Sequence, residues 1–258
     1  MTNAIAIETS GTHLSYAILR QGKITAQFFS DAQWDHEQIF WKRFPKDLKK
    51  SGLKLENLDF LAATRGPGRF TGVRLGLAIV NTWASLYKIP VFAPTVPELM
   101  AWQHRNSAEY RVTSAECGIK STEYRVKKNK KEFSSHSLLS TQHSALLCLV
   151  AFSGAVVLTQ TDNAGAIKIL KTHSNLEEAF KNLPPALRHP LSPLLYYCQE
   201  NLEKEIANLA QKHNVTARRE IPRAGRLLEF GGAGRQEKSR WIKPPKLAQP
   251  LYLKQSWG

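Results

Sequence analysis

The sequence predicts an α/β protein with mixed sheets flanked by helices, and three observations carry the prediction. Three short apolar runs, 4–8, 13–20 and 23–29, follow one another at the start, the last two joined only by Gln21-Gly22. A stretch of helical periodicity, a buried strand, a second helix and a short strand then alternate up to about residue 93. The chain has 258 residues, 42% hydrophobic and 22% charged, which suffices for one large or two modest domains with real cores.

Each element has a local reason. Residues 35–50 place Ile39, Phe40, Phe44 and Leu48 at helical spacing, with Pro45 inside, where a kink or break is expected. Residues 58–64 are a buried strand that runs into Arg65-Gly66-Pro67-Gly68, and 71–87 is the clearest helix in the chain. A short strand follows around 91–93. A β-meander followed by alternating helices and strands is the order of the ribonuclease-H-like core shared by actin-like ATPase folds, which often pair two similar domains. The predicted division is 1–104 and 105–258. In the second part strands are expected near 112–117, 122–127, 146–152 and 155–159, with an exposed turn at Lys127–Lys131. A helix is expected over 193–212, capped by Ser192 and with Leu195, Cys198, Leu202, Ile206 and Leu209 on one face. Residues 221–246, rich in Arg, Lys, Gly and Pro, read as an extended or mobile connection before a final apolar piece at 250–253. No internal sequence repeat is visible.

Composition narrows the function classes. The three cysteines form no C-x-x-C pair, so neither a disulfide framework nor a thiolate zinc site is suggested, and a reducing compartment fits. The N-terminus lacks a basic region and meets Glu8, and the most apolar stretch, 145–158, is too short to span a bilayer. A cytoplasmic protein with no membrane association is therefore expected. The net charge of +15 is uneven: 12 Lys+Arg against 8 Asp+Glu over 1–104 give +4, and 24 against 13 over the remainder give +11. A basic second part suits a phosphate-bearing partner such as RNA, or simply a solvated lysine surface.

The most informative segment is Arg65 to Gly76, RGPGRFTGVRLG. Gly66 and Gly68 flank a proline at the mouth of a strand, and a helix N-terminus follows. This layout makes Gly66, Gly68, Thr71 and Gly72 a candidate anion-binding loop. The competing reading is a tight strand-to-helix connection in which Gly72 and Gly76 allow close packing. Neither the P-loop lysine nor the G-x-G-x-x-G spacing is present. The helix at 71–87 is apolar over most of its circumference, so it needs burial on more than one side. At the chain start, Ile7-Glu8-Thr9-Ser10-Gly11-Thr12 has the form of an actin-type first phosphate loop, with Glu8 where Asp is usual; a capped strand end is the alternative. The segment Phe230–Arg235 reads as a flexible linker rather than an adenosine-binding glycine turn.

Ile5–Ser10, the run Arg65–Gly76 and Pro250–Lys254 together resemble the TsaB (YeaZ) family, a Gcp-like or M22-glycoprotease-like group of the actin/Hsp70-like superfamily. The resemblance covers residues 1–100 well and is poor beyond 105, where Ser114–Cys117 stands in place of the family's Asp-Ala-Arg segment. It implies a non-catalytic subunit of the machinery that makes threonylcarbamoyladenosine in tRNA, paired with a TsaD-like catalytic subunit and joined by a TsaE-like ATPase. The family pairs through its first two helices, here about 35–50 and 71–87. His36, Ile39, Phe40, Leu75, Ile79 and Trp83 are the interface candidates, and a homodimer burying the same surface is expected when the chain is alone. The catalytic relative holds a metal with His-x-x-x-His and a later Asp. None of the eight histidines here has another four residues away, and His136 and His143 lie seven apart, so no metal, cofactor or catalytic residue is expected. An actin-type ATPase, a glycoprotease-like hydrolase and a direct tRNA-binding protein are the alternatives.

Overall fold

The structure, a computed structural model, describes residues 1–30, 35–107, 146–152, 155–161, 167–184, 193–233 and 240–251. Strands β1 (Ala4–Glu8), β2 (Leu14–Arg20) and β3 (Lys23–Ser30) form an antiparallel meander. Gln21 and Gly22, with φ of +52° and +79°, close its two-residue turn in the conformation whose twist matches the strands. Then come α1 (His36–Ser51), β4 (Phe60–Ala63), α2 (Phe70–Tyr87), β5 (Val91–Phe92) and α3 (Val96–Arg105). β4 lies parallel to β1, and β5 parallel to β4.

The second sheet repeats this connectivity. β6 (Leu146–Phe152), β7 (Ala155–Thr161) and β8 (Ile167–His173) form a second antiparallel meander. Helix α4 (Leu176–Lys181), β9 (Leu194–Cys198), α5 (Glu200–Lys212) and β10 (Ala217–Arg219) follow. β9 is parallel to β6 and β10 is parallel to β9. The strand order β3-β2-β1-β4-β5 of the first sheet thus recurs as β8-β7-β6-β9-β10. The duplication lives in the order of apolar runs and turns, not in residue identities, and so leaves no sequence repeat.

The two halves exchange their last helices. α3 leaves the first sheet and lays Val96, Met100 and Ala101 against Leu146, Cys148, Val150 and Leu195 of the second. After β10, α6 (Ala224–Ala233) returns to the first sheet, where Leu227, Leu228 and Phe230 join Phe60, Ala62 and Phe92. β11 (Trp241–Ile242) then adds an edge to that sheet, antiparallel to β5. Gln103 on α3 clips the crossover: its amide donates to the Ile221 carbonyl at 2.9 Å and its carbonyl oxygen accepts the Arg223 N–H at 3.0 Å.

Several expectations need correction. Residues 224–233 and 240–251 do not form a mobile connection; they complete the first domain, so position 104/105 is not a simple boundary. Phe230 to Ala233 are helical, with Gly231 packed against Phe60 and Phe92, not a linker. The helix expected over 193–212 is a strand followed by a helix: Leu194–Cys198 are all buried in sheet positions, and helical periodicity begins only at Leu202. α1 runs unbroken through Pro45 because the amide that proline lacks would have bonded the carbonyl of Trp41, which lies on the exposed side. The strands near 112–117 and 122–127, the turn at 127–131, the segment Ser114–Cys117, the Ser192 cap, and His136 and His143 lie outside the described residues, as do the last residues of the 250–253 piece. Among the described residues no helix is long and apolar enough to cross a membrane.

Because Phe230 stacks on Trp102 and meets Phe92 edge-on, Phe230→Ala should remove about 3–5 kcal/mol of stability. Denaturant unfolding checks it, and a midpoint unchanged from wild type would show that α6 is not integral to the first domain.

Candidate functional site

The glycine-rich loop and the end of β1 meet backbone on backbone. Arg69 N–H donates to the Ser10 carbonyl at 2.6 Å, and the Thr9 hydroxyl donates to the Gly72 carbonyl at 2.7 Å. A Cβ on Gly68 would stand 2.2 Å from the Ser10 carbonyl oxygen, and one on Gly72 would stand 2.0 Å from that of Thr9. Gly66 takes φ +92°, and its carbonyl accepts the Val96 N–H. The glycines of the candidate anion loop therefore serve close packing, and the carbonyl oxygens of Thr9 and Ser10 face the space between Gly68 and Gly72.

Glu8 closes the same corner. Its carboxylate accepts the Ser10 N–H at 2.8 Å and the Thr64 hydroxyl, so the longer acid folds back on its own loop. Burial pushes its pKa above the ordinary carboxylate range, against the opposing pull of the hydrogen bonds from Ser10 and Thr64. Gly11 lies under the Tyr197 hydroxyl, where a Cβ would come within 1.6 Å of that oxygen. Tyr197 also meets His13 at 3.4 Å and packs edge-on against Phe152. The first loop, Glu8 to His13, is thus buried beneath a side chain of the second sheet. Tyr197 was invisible as a site residue because its strand reads as part of a helix.

Beside this corner a groove of about 570 Å³ opens between the N-terminal ends of α1 and α2. It brings together Asp35, His36, Arg69, Thr71, Gly72, Arg74 and Leu75, and so joins part of the candidate interface to part of the candidate anion loop. His36 is tied in place by an Nε2 hydrogen bond to the Thr12 carbonyl at 3.1 Å, and Arg74 stacks over Phe70 at 3.7 Å. Arg69, the N-cap residue of α2, makes no side-chain capping bond to the helix. Ile39 and Leu75 are half-buried.

Phe40, Ile79 and Trp83, three of the interface candidates, are core residues with 0%, 7% and 8% exposure. Trp83 stacks on Phe44, and Phe40 stacks on Phe44 while meeting Tyr16 edge-on, so α1 itself supplies the second cover that the apolar girth of α2 required. Along its middle α2 turns outward a ridge of Thr71, Arg74, Ala78, Thr82 and Ser85, small apart from Arg74, with Leu75 beside it, and exposes Phe70 at its start and Leu86 and Tyr87 at its end. Burial pushes the thiols of Cys148 and Cys198 up to about 12, which leaves them as inert core groups. Among the described residues no group of three or more His, Cys, Asp and Glu side chains is placed to hold a metal ion.

Sheet order and the buried loop at the end of β1 define a two-domain protein of the ribonuclease-H-like, actin-type class. Comparison with solved structures agrees on the fold: YeaZ from Pseudomonas aeruginosa superposes with a TM-score of 0.61 at 17% identity, covering 98% of this chain and all of that one. A second crystal structure, of an uncharacterized protein with similarity to peptidase YEAZ from the same organism, gives 0.65 at 17% identity over the same shares. A family model described as TsaD, tRNA N6-adenosine threonylcarbamoyltransferase, matches residues 30–110. The tRNA threonylcarbamoyladenosine biosynthesis protein TsaB of Haemophilus influenzae is 38% identical over 87 residues, 34% of this chain and 36% of that protein. Those of Buchnera aphidicola and Escherichia coli are 28% and 32% identical over 97 residues each, 46% and 42% of their own lengths. The chain is thus similar to TsaB proteins in part of its sequence and to YeaZ in fold, and its sequence likeness spans less than half the length of these curated relatives.

A buried acid with a raised pKa favours the folded state only while it is protonated. That contribution is complete below the ordinary carboxylate value and fades as pH rises through the raised one. Glu8→Gln keeps the shape and cannot ionise, so its melting temperature should fall less than that of wild type across this rise. Parallel pH profiles for the two proteins would contradict the assignment.

Proposed function

We propose that the chain is a non-catalytic partner subunit in threonylcarbamoyl transfer to adenosine of tRNA. It docks a TsaD-like catalytic subunit across the N-terminal half of α1 and the outward ridge of α2. The observation that carries the reading is the groove between these helices, whose α1 and α2 lining lies within the stretch matched by the TsaD family model. Small side chains along α2 let a partner helix approach closely, and Ile39 and Leu75 give it an apolar footing. Arg74 on α2, with Asp35 and Glu37 at the start of α1, gives the rim charges of both signs that fix register. The N-terminal end of α2, where the positive end of the helix dipole lies, suits an acidic side chain of the partner, the protein form of the anion-loop reading.

Burial of the Glu8–His13 loop under Tyr197 supports a scaffold role over an actin-type ATPase, whose phosphate loop has to be open to its nucleotide. In this reading a TsaE-like ATPase joins the pair, the basic charge of the chain faces tRNA, and alone the chain covers the same helical face with a second copy.

Leu75→Glu places a charge on the ridge beside an already half-exposed position, so the fold should survive. Co-purification with a TsaD-like subunit is expected to drop by about tenfold or more, the loss usual for an anchor at the centre of an interface. Retained co-purification by both Leu75→Glu and Ala78→Glu would remove this face from the account.

A further inference from the structure

A second groove lies along the β5–β11 edge of the first sheet, away from the α1–α2 groove. It has two connected parts, of about 820 Å³ and about 510 Å³, that share Pro90, Lys243, Pro244 and Pro245. Lys88 stands at the end of α2 on one side, Lys243 and Lys246 on the other, and all three are exposed. None of them makes an ion pair among the described residues; the lysine paired in this part of the chain is Lys54, with Glu56. The one acid on the lining, Asp59, accepts the Asn3 backbone N–H at 2.7 Å, which orients its carboxylate toward the chain's own backbone. The floor is aromatic: Trp241, half-buried, rests on Phe60 and Phe92 at about 5 Å between centroids, which fixes the plane of its ring.

Three cations without an ion pair along a groove that also holds a fixed aromatic ring match a polyanion whose units carry flat rings. We propose that this groove is a contact site for single-stranded or looped RNA, with Lys88, Lys243 and Lys246 on phosphates and Trp241 as the platform for a base. The proposal rests on the tRNA-modifying reading above, and places the RNA contact on the first domain rather than on the second. An extended acidic peptide is disfavoured by the edge itself. β11 offers only two ladder residues, and Pro244 and Pro245 supply no N–H to lengthen the pairing.

The test is binding of a fluorescent, unmodified tRNA transcript to the full chain, by anisotropy, between about 50 and 200 mM salt. The variant Lys88→Glu/Lys243→Glu/Lys246→Glu, whose side chains are exposed and unpaired, should keep the circular dichroism and melting of wild type. It should bind about tenfold more weakly or worse, and the slope of log affinity against log salt should fall in magnitude by about 2–3, as expected for three lost phosphate contacts. Trp241→Leu should weaken binding without changing the slope. Substituting 4-thiouridine in the transcript should give crosslinks to the peptide 240–246. Unchanged affinity and slope in the folded triple variant, or no crosslink to that peptide, overturns the proposal. Equal loss of binding to polyglutamate overturns the RNA assignment in favour of an acidic protein segment. If the triple variant loses tRNA while still co-purifying with a TsaD-like subunit, groove and scaffold are separable. Loss of partner binding by Leu75→Glu with tRNA binding intact reports on the scaffold reading alone.

Discussion

Everything at the functional corner depends on two pairs of backbone atoms approaching to contact distance. Gly68 sits against the Ser10 carbonyl and Gly72 against that of Thr9, with no room for a single methyl group at either place. This contact sets where α2 begins, and the hydrogen bonds from Arg69 N–H and the Thr9 hydroxyl hold it there. With α2 so placed, Val73, Leu77 and Val80 drop onto the first sheet, Trp83 reaches the aromatic cluster under α1, and the start of α2 stands beside the start of α1. The groove between the two helices is the space left by that placement. A glycine motif that suggests ligand binding in the sequence serves helix docking here, and its link to the proposed function is indirect: it positions the helical face that the proposal gives to a partner.

The exchanged helices make the two halves interdependent. α3 belongs in sequence to the first sheet and in packing to the second, and α6 reverses this. They also touch each other, Trp102 stacking on Phe230 at 5.4 Å between centroids. Arg240, almost wholly buried, adds an ion pair with Glu98 at 2.8 Å that ties the return segment to the first turn of α3. A buried pair of this kind contributes less to net stability than to register, because both charges lose hydration on burial. Its geometric effect is to hold β11 against β5, the edge on which Trp241 and Lys243 stand.

Legibility in the sequence followed the range of the interactions involved. The first meander, α1, α2 and the loop between β4 and α2 were readable because hairpin turns, helical periodicity and glycine spacing are local signals. β9 was misread because Leu194-Leu195-Tyr196-Tyr197-Cys198 is a short apolar run, and periodicity alone does not separate a buried strand from a buried helix. α6 was missed because glycines at 225, 231 and 232 signal a linker. Tertiary packing overrides that propensity, since Gly225 and Gly231 sit where Gln27, Phe60 and Phe92 come close. The burial of Ile79 and Trp83 was likewise beyond reach. Apolar girth shows that a second surface must cover the helix, but not whether that surface is the chain's own α1 or another protein.

The distribution of chemistry over the first domain now has a consistent logic. At the carboxyl end of β1, where an actin-type protein would hold phosphates, the hydroxyls, the acid and the glycine are committed to one another and covered by Tyr197. Charge and exposure are therefore displaced to two other places: the groove between α1 and α2, mixed in sign, and the edge formed by β5 and β11, positive. Mixed charge around half-buried apolar residues suits a folded protein surface, where complementarity fixes orientation. A predominance of positive charge near a fixed indole suits a flexible polyanion, whose attraction is long-ranged and tolerant of sequence. In the proposed reading one face holds a catalytic partner and another meets that partner's RNA substrate, with the same sheet fixing the distance between them.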